Sequence, residues 1–105
     1  MEIEFKSNKL RKICEDEIKL KRIYGDRCAK KIITRINELY AAENLYDISK
    51  LPQARLHLLK QNWKGHFAVD VQHPKRLIFL PLDGLVADNR TITVIKIIEV
   101  GYDYH

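Results

Sequence analysis

The run Thr91 to Val100, Thr-Ile-Thr-Val-Ile-Lys-Ile-Ile-Glu-Val, is β-branched at eight of its ten positions. Branching at Cβ restricts χ1 and favours a pleated, packed backbone over a helix. Apolar residues fall on both alternating faces, the pattern of a strand covered on two sides and interior to a sheet. Gly101 then releases the strand geometry, and the sequence closes on Asp103, Tyr104 and His105. A carboxylate, a phenol and an imidazole at the mouth of the stiffest element suit acid–base chemistry.

The preceding sequence supplies partners for that strand. Met1 to Lys6 alternates weakly, with Ile3 and Phe5 on one side, and reads as a short strand. Ser7 or Asn8 offers an N-cap for a helix running to about Tyr24, closed by Gly25. On a helical wheel Leu10, Ile13, Cys14, Leu20 and Tyr24 form one stripe. Ile18 and Ile23 fall to either side of it, which widens the apolar arc to about 220°, more than one core face needs. This excess predicts a surface covered by a partner protein or by a second copy of the chain. Asp26 caps a second helix to about Ala42, with Cys28, Ile32, Ile36, Leu39 and Tyr40 facing inward. The connection Gly25-Asp26 is short enough to force the two helices into an antiparallel hairpin.

Ala41 to Leu51 is a connector, and Pro52 ends helical character. From Ala54 the hydrophobic period changes to two. Arg55 to Lys60, Phe67 to Val71, Leu77 to Leu82 and Ile92 to Val100 read as strands joined by short links containing Gly, Pro, Asn and Asp. The expected fold is α+β, an N-terminal helical hairpin packed on an antiparallel β-sheet meander, in a single domain over residues 1–105.

Nineteen Lys and Arg against fourteen Asp and Glu give a net charge of +5, unevenly placed. Lys6 to Arg35 holds eleven basic and four acidic residues, and Gln53 to Arg76 holds five basic and one acidic. The remainder of the sequence is net acidic. Such segregation favours a polyanion, RNA or DNA, over a merely solvated surface. No apolar run approaches the roughly 20 residues that span a bilayer, so a cytoplasmic protein without a membrane is expected. Cys14 and Cys28 lack Cys-x-x-Cys spacing and a matching His cluster, which predicts buried thiols rather than a disulfide framework or a metal site. No cofactor motif is present.

Of the four histidines, His73 precedes Pro74 in a turn and His66 opens a strand, so both are expected at the solvated surface. His57 alternates out of phase with Leu56 and Leu58 and should point away from their face. The cations Lys60, Lys64 and Arg76 lie where the first hairpin and the end of the chain converge in an antiparallel sheet. RNA cleavage at a phosphodiester needs a base at the 2′-hydroxyl, an acid at the leaving 5′-oxygen and cations on the transition state. His57, Lys60, Lys64, Arg76, Asp103, Tyr104 and His105 supply these types without a metal.

The run Arg55-Leu56-His57-Leu58-Leu59-Lys60, then Gly65, an alternating strand, Pro74-Lys75-Arg76-Leu77-Ile78-Phe79 and the Asp103-Tyr104-His105 ending resemble the HigB-type toxins of the RelE/ParE superfamily. The resemblance implies a type II toxin that enters the ribosomal A site, cuts mRNA there and is held inactive by a helix-turn-helix, HigA-like antitoxin. It also implies acid–base roles for His57 and His105, support from Asp103 and Tyr104, and phosphate contacts from Lys60 and Arg76. The chain departs from the family where Gly and then Arg often follow the lysine: Gln61 and Trp63 stand here. Lysine does not reproduce the bidentate guanidinium fork; Lys64 is the candidate to supply the charge. Trp63 either stacks on a base of single-stranded RNA or packs on the sheet edge. Two other functions share the fold: a ParE-like toxin that binds a protein target without cutting RNA, and a catalytically inactive RNA-binding or interaction module.

Overall fold

The structure is a computed structural model and describes residues 1–103. Its first helical region is two helices where the periodicity predicts one. Ser7 caps α1 (Asn8–Cys14) by accepting the Leu10 N–H, and Asp16 caps α2 (Glu17–Tyr24) by accepting the N–H groups of Ile18 and Lys19. The carboxylate at position 16 satisfies donors that would be orphaned at a fresh helix start, so the chain breaks at Glu15 and turns. Gly25, at φ 86°, joins α2 to α3 (Asp26–Ala41), a backbone angle that a side chain would disfavour. The hairpin expected across Gly25 is therefore α2 against α3. Asp26 is the first residue of α3 and makes no side-chain cap.

On α3 the buried face is Cys28, Ala29, Ile32, Arg35, Ile36 and Leu39, while Tyr40, expected inside, is exposed. Both thiols are free, Cys28 buried and Cys14 half-buried. Arg35 is the one buried charged residue among those described. Its guanidinium donates to the Asp70 carbonyl (2.7 Å), the Gln53 carbonyl (3.0 Å) and the Glu38 carboxylate (3.0 Å), which ties α3 to the sheet and to the segment before it. The expected connector contains a short helix, α4 (Leu45–Ser49), capped by Asn44, and Pro52–Ala54 forms one 3₁₀ turn.

Five strands form one sheet in the order β1-β5-β4-β3-β2: β1 (Glu2–Phe5), β2 (His57–Leu58), β3 (Phe67–Asp70), β4 (Lys75–Pro81) and β5 (Val94–Asp103). Strands β2 to β5 make the antiparallel meander, and β1 adds to β5 in parallel, Ile3 beside Ile95 and Phe5 beside Ile97. Phe67, Val69, Leu77, Phe79, Ile95, Ile97 and Val100 join the helices in the main core. The far face is thinly covered, by Leu59, Ala68, Ile78 and the half-buried Trp63. Accordingly β5 is interior to the sheet yet buried on one side only, with Val94, Lys96 and Ile98 half exposed. Gly101 does not end this strand. Pairing continues to Asp103 after a register irregularity, and a Cβ at Gly101 would lie 2.5 Å from the Tyr24 ring of α2. No helix of the described residues is long and apolar enough to cross a membrane.

Candidate active site

The thinly covered face of the sheet carries the polar groups. In the strand register His57 is opposite Ala68, Ala68 opposite Ile78, Asp70 opposite Arg76, and Arg76 opposite Tyr102. Residues opposite one another across a ladder share a face, so His57, Asp70, Arg76 and Tyr102 gather there, away from the helices. Strand β2 is only two residues long, because Arg55 before it adopts a left-handed conformation (φ 48°) and a 3₁₀ turn, Gln61–Trp63, follows it.

His57 is held from both sides. Its Nδ1 lies 2.6 Å from the Arg55 carbonyl oxygen, and Arg76 Nη1 lies 2.8 Å from its Nε2. A carbonyl only accepts and a guanidinium only donates. The imidazole therefore carries its proton on Nδ1 and presents the Nε2 lone pair to Arg76, the form a general base needs. Asp70 lies between two arginines, with Arg55 Nε at 3.3 Å and Arg76 Nε at 3.6 Å. Its side chain is 16% exposed and that of Arg55 73%. The carboxylate orients Arg76 on His57, and Asp70 is the single acidic residue in the basic segment from Gln53 to Arg76. That isolation was the available signal for a residue that sequence reasoning passed over.

The remaining expected residues divide into three groups. Asp103 is opposite Lys75, one step along the ladder from the Arg76–Tyr102 pair, while Tyr104 and His105 lie outside the described residues. Trp63 packs against the sheet. Its ring meets Tyr102 edge-on at 5.3 Å and His66 at 5.2 Å, and it covers Ala68 and Ile78. His66 is thus a half-buried aromatic partner rather than a solvated residue, whereas His73 is exposed as expected. Lys60 and Lys64 are exposed; with Leu58, Leu59, Gly65 and Val86 they line a hollow of about 510 Å³.

Helices cover one face of the five-stranded sheet, and cationic and imidazole-bearing groups lie on the other. Over 99% of its length the chain is similar to the YoeB-YefM complex from Staphylococcus aureus, at 19% identity and a TM-score of 0.58, covering 98% of that chain. It is similar to the YoeB/ParE toxin from Agrobacterium tumefaciens over the same share, at 12% identity and a TM-score of 0.59, covering 100% of that chain. The fold is that of the RelE, YoeB and ParE toxins. No curated protein matches the sequence. Residues 3–91 match the HigB-like toxin family, described as the RelE-like toxin of type II toxin-antitoxin system HigB, and the chain belongs to that family. The match stops short of β5 and of the Asp103-Tyr104-His105 ending.

Proposed function

We propose that this toxin is a ribosome-dependent endoribonuclease that cuts mRNA by attack of the 2′-hydroxyl on the adjacent phosphate. The observation that carries the reading is the Arg76–His57 contact, a cation fixed 2.8 Å from the lone pair of an oriented imidazole on an open sheet face. In the proposed reaction His57 Nε2 takes the proton of the 2′-hydroxyl as its oxygen attacks phosphorus. The bond to the 5′-oxygen breaks, and His105 protonates that oxygen as it leaves. Arg76 moves onto the non-bridging oxygens, where charge accumulates, with Lys60 and Lys64 on neighbouring phosphates. Asp103 and Tyr104 orient the acid. The cations of this scheme are side chains, so divalent metal has no assigned role beyond sustaining the ribosome.

The partners in this reading are the ribosome with its mRNA and, for control, a cognate antitoxin of helix-turn-helix type. A solved structure similar to this chain is a complex, YoeB-YefM, which supports a protein partner here. Incubating the toxin with programmed ribosomes and mapping RNA ends tests the chemistry. Products with 2′,3′-cyclic or 3′-phosphate and 5′-hydroxyl ends are expected. Ends bearing 5′-phosphate would mean a hydrolytic attack by water and would overturn the mechanism.

A further inference from the structure

Asp70 is shared by two arginines and meets both at the same atom. Its Oδ2 lies 3.3 Å from Arg55 Nε and its Oδ1 lies 3.6 Å from Arg76 Nε. A guanidinium has five N–H donors, four of them on the terminal nitrogens. Pairing through Nε therefore leaves the four terminal donors for other partners. Those of Arg76 reach His57, whereas those of Arg55 make no hydrogen bond to the described residues. The β2–β3 register explains the placing. Carried two residues back from the His57–Ala68 pair, it sets Arg55 across from Asp70, on the open face with His57, Arg76 and Tyr102. The left-handed turn at Arg55 (φ 48°) brings its carbonyl to His57 Nδ1 and its side chain, 73% exposed, to Asp70. An ion pair that open adds little to stability.

We infer that Arg55 is an RNA-binding residue of this site, its terminal fork closing on the mRNA phosphate next to the one cleaved, with Asp70 positioning both arginines. The inference rests on the mRNA-cleaving reading and adds a contact which that reading does not contain. Two parallel N–H donors match the two non-bridging oxygens of a phosphate, which Lys60 and Lys64 meet only as point charges. Asp70 thus presents one fork from each of its oxygens, Arg76 beside the base and Arg55 one phosphate along.

The test is single-turnover cleavage of programmed ribosomes over a range of toxin concentrations. Arg55→Gln should melt like wild type, raise the half-saturating concentration about tenfold and leave the maximal rate within about twofold, the signature of a contact made equally before and in the transition state. A wild-type concentration dependence would overturn the inference. Arg22→Gln on α2 removes the same charge and should behave as wild type; an equal loss there would assign the effect to net charge and overturn the inference. Messages with a neutral methylphosphonate on one or the other side of the cleaved phosphate locate the contact. At one of these positions Arg55→Gln should cost nothing further. The same deficit persisting at both would place Arg55 on ribosomal RNA and refute the assignment. Nitrogen-15 shifts of His57 should not move in Arg55→Gln, since the carbonyl stays; a changed tautomer would make Arg55 a positioning residue instead. Asp70→Asn should raise the half-saturating concentration and lower the maximal rate together, because it releases Arg76 as well, and wild-type values would remove Asp70 from the inference. Should Arg55→Gln fail to fold, Arg55→Lys takes its place in the same comparisons. A wild-type chain that cuts no ribosome-bound mRNA would remove the mRNA-cleaving reading itself.

Discussion

Arg76 Nη1 donates to His57 Nε2 across 2.8 Å, so the lone pair proposed as the base is capped by the cation proposed to meet the phosphate. In the proposed mechanism the two roles exclude each other in the free protein and separate when Arg76 leaves His57 for an anion. Asp70, 3.6 Å from Arg76 Nε, keeps the guanidinium within reach of both positions.

Replacing Arg76 should therefore act twice. Arg76→Ala should lower single-turnover cleavage by about 10²–10³, the usual cost of one donor to a developing oxyanion. Arg76→Lys should recover only part of that, because a lysine point charge does not reproduce the fork. Nitrogen-15 shifts of the His57 ring should show a growing population protonated on Nε2 in the alanine variant. An unchanged tautomer would mean that the Arg55 carbonyl alone holds the ring.

The proposed acid stands at the end of the chain. His105→Ala should lower the chemical rate by about 10²–10⁴ while ribosome affinity stays near wild type, since lysines and arginines elsewhere meet the phosphates. A C-terminal tag should impair cutting and an N-terminal tag should not. Cleavage at the wild-type rate would remove His105 from the mechanism, and a parallel loss of binding would make it a positioning residue.

Gly101 tests the docking of α2 on β5. A methyl group there would sit 2.5 Å from the Tyr24 ring, so Gly101→Ala should destabilise the fold by about 1–3 kcal/mol, the range for forcing atoms into a packed site. Pairing it with Tyr24→Ala should remove most of the clash. Chemical denaturation of the two single variants and the double variant measures the coupling, and additive losses would place Tyr24 elsewhere.

Acid stability should depend on Asp83, which accepts from the Thr93 hydroxyl and from the N–H groups of Thr93 and Val94 at the start of β5. These bonds, the Thr93 side chain foremost, hold its carboxyl below the ordinary 3.8. Because the folded value is depressed, the contribution is complete above about pH 4 and is lost as pH falls through the folded value. Asp83→Asn should be less stable than wild type at pH 7, and the difference in melting temperature should narrow below pH 4. A constant difference would show that the charge of Asp83 contributes nothing.

Much of the fold is written locally. Period-two alternation, β-branched residues and turn residues mark β3, β4 and β5, and Gly25 marks the α2–α3 turn, because each is a preference of neighbouring residues. The break at Glu15 is also local, since Asp16 followed by Glu17 is a helix-start signal, but the apolar stripe on both sides of it reads as continuous. Tyr40 fell outside because the wheel fixes an angular position while the neighbours of α3 decide how wide its buried face is.

The inventory of the candidate site, two imidazoles, a tail of acid–base groups and a set of cations on an α+β scaffold, is legible residue by residue, since side-chain chemistry does not depend on folding. Long-range packing is what joins β1 to β5 in parallel, sets Asp70 between Arg55 and Arg76, lays Trp63 on Tyr102 and brings Arg76 to His57. Each of these is a pairing between residues far apart in the chain. Strand register and the shape of the space left between elements set such pairings, and no window of neighbouring residues encodes either.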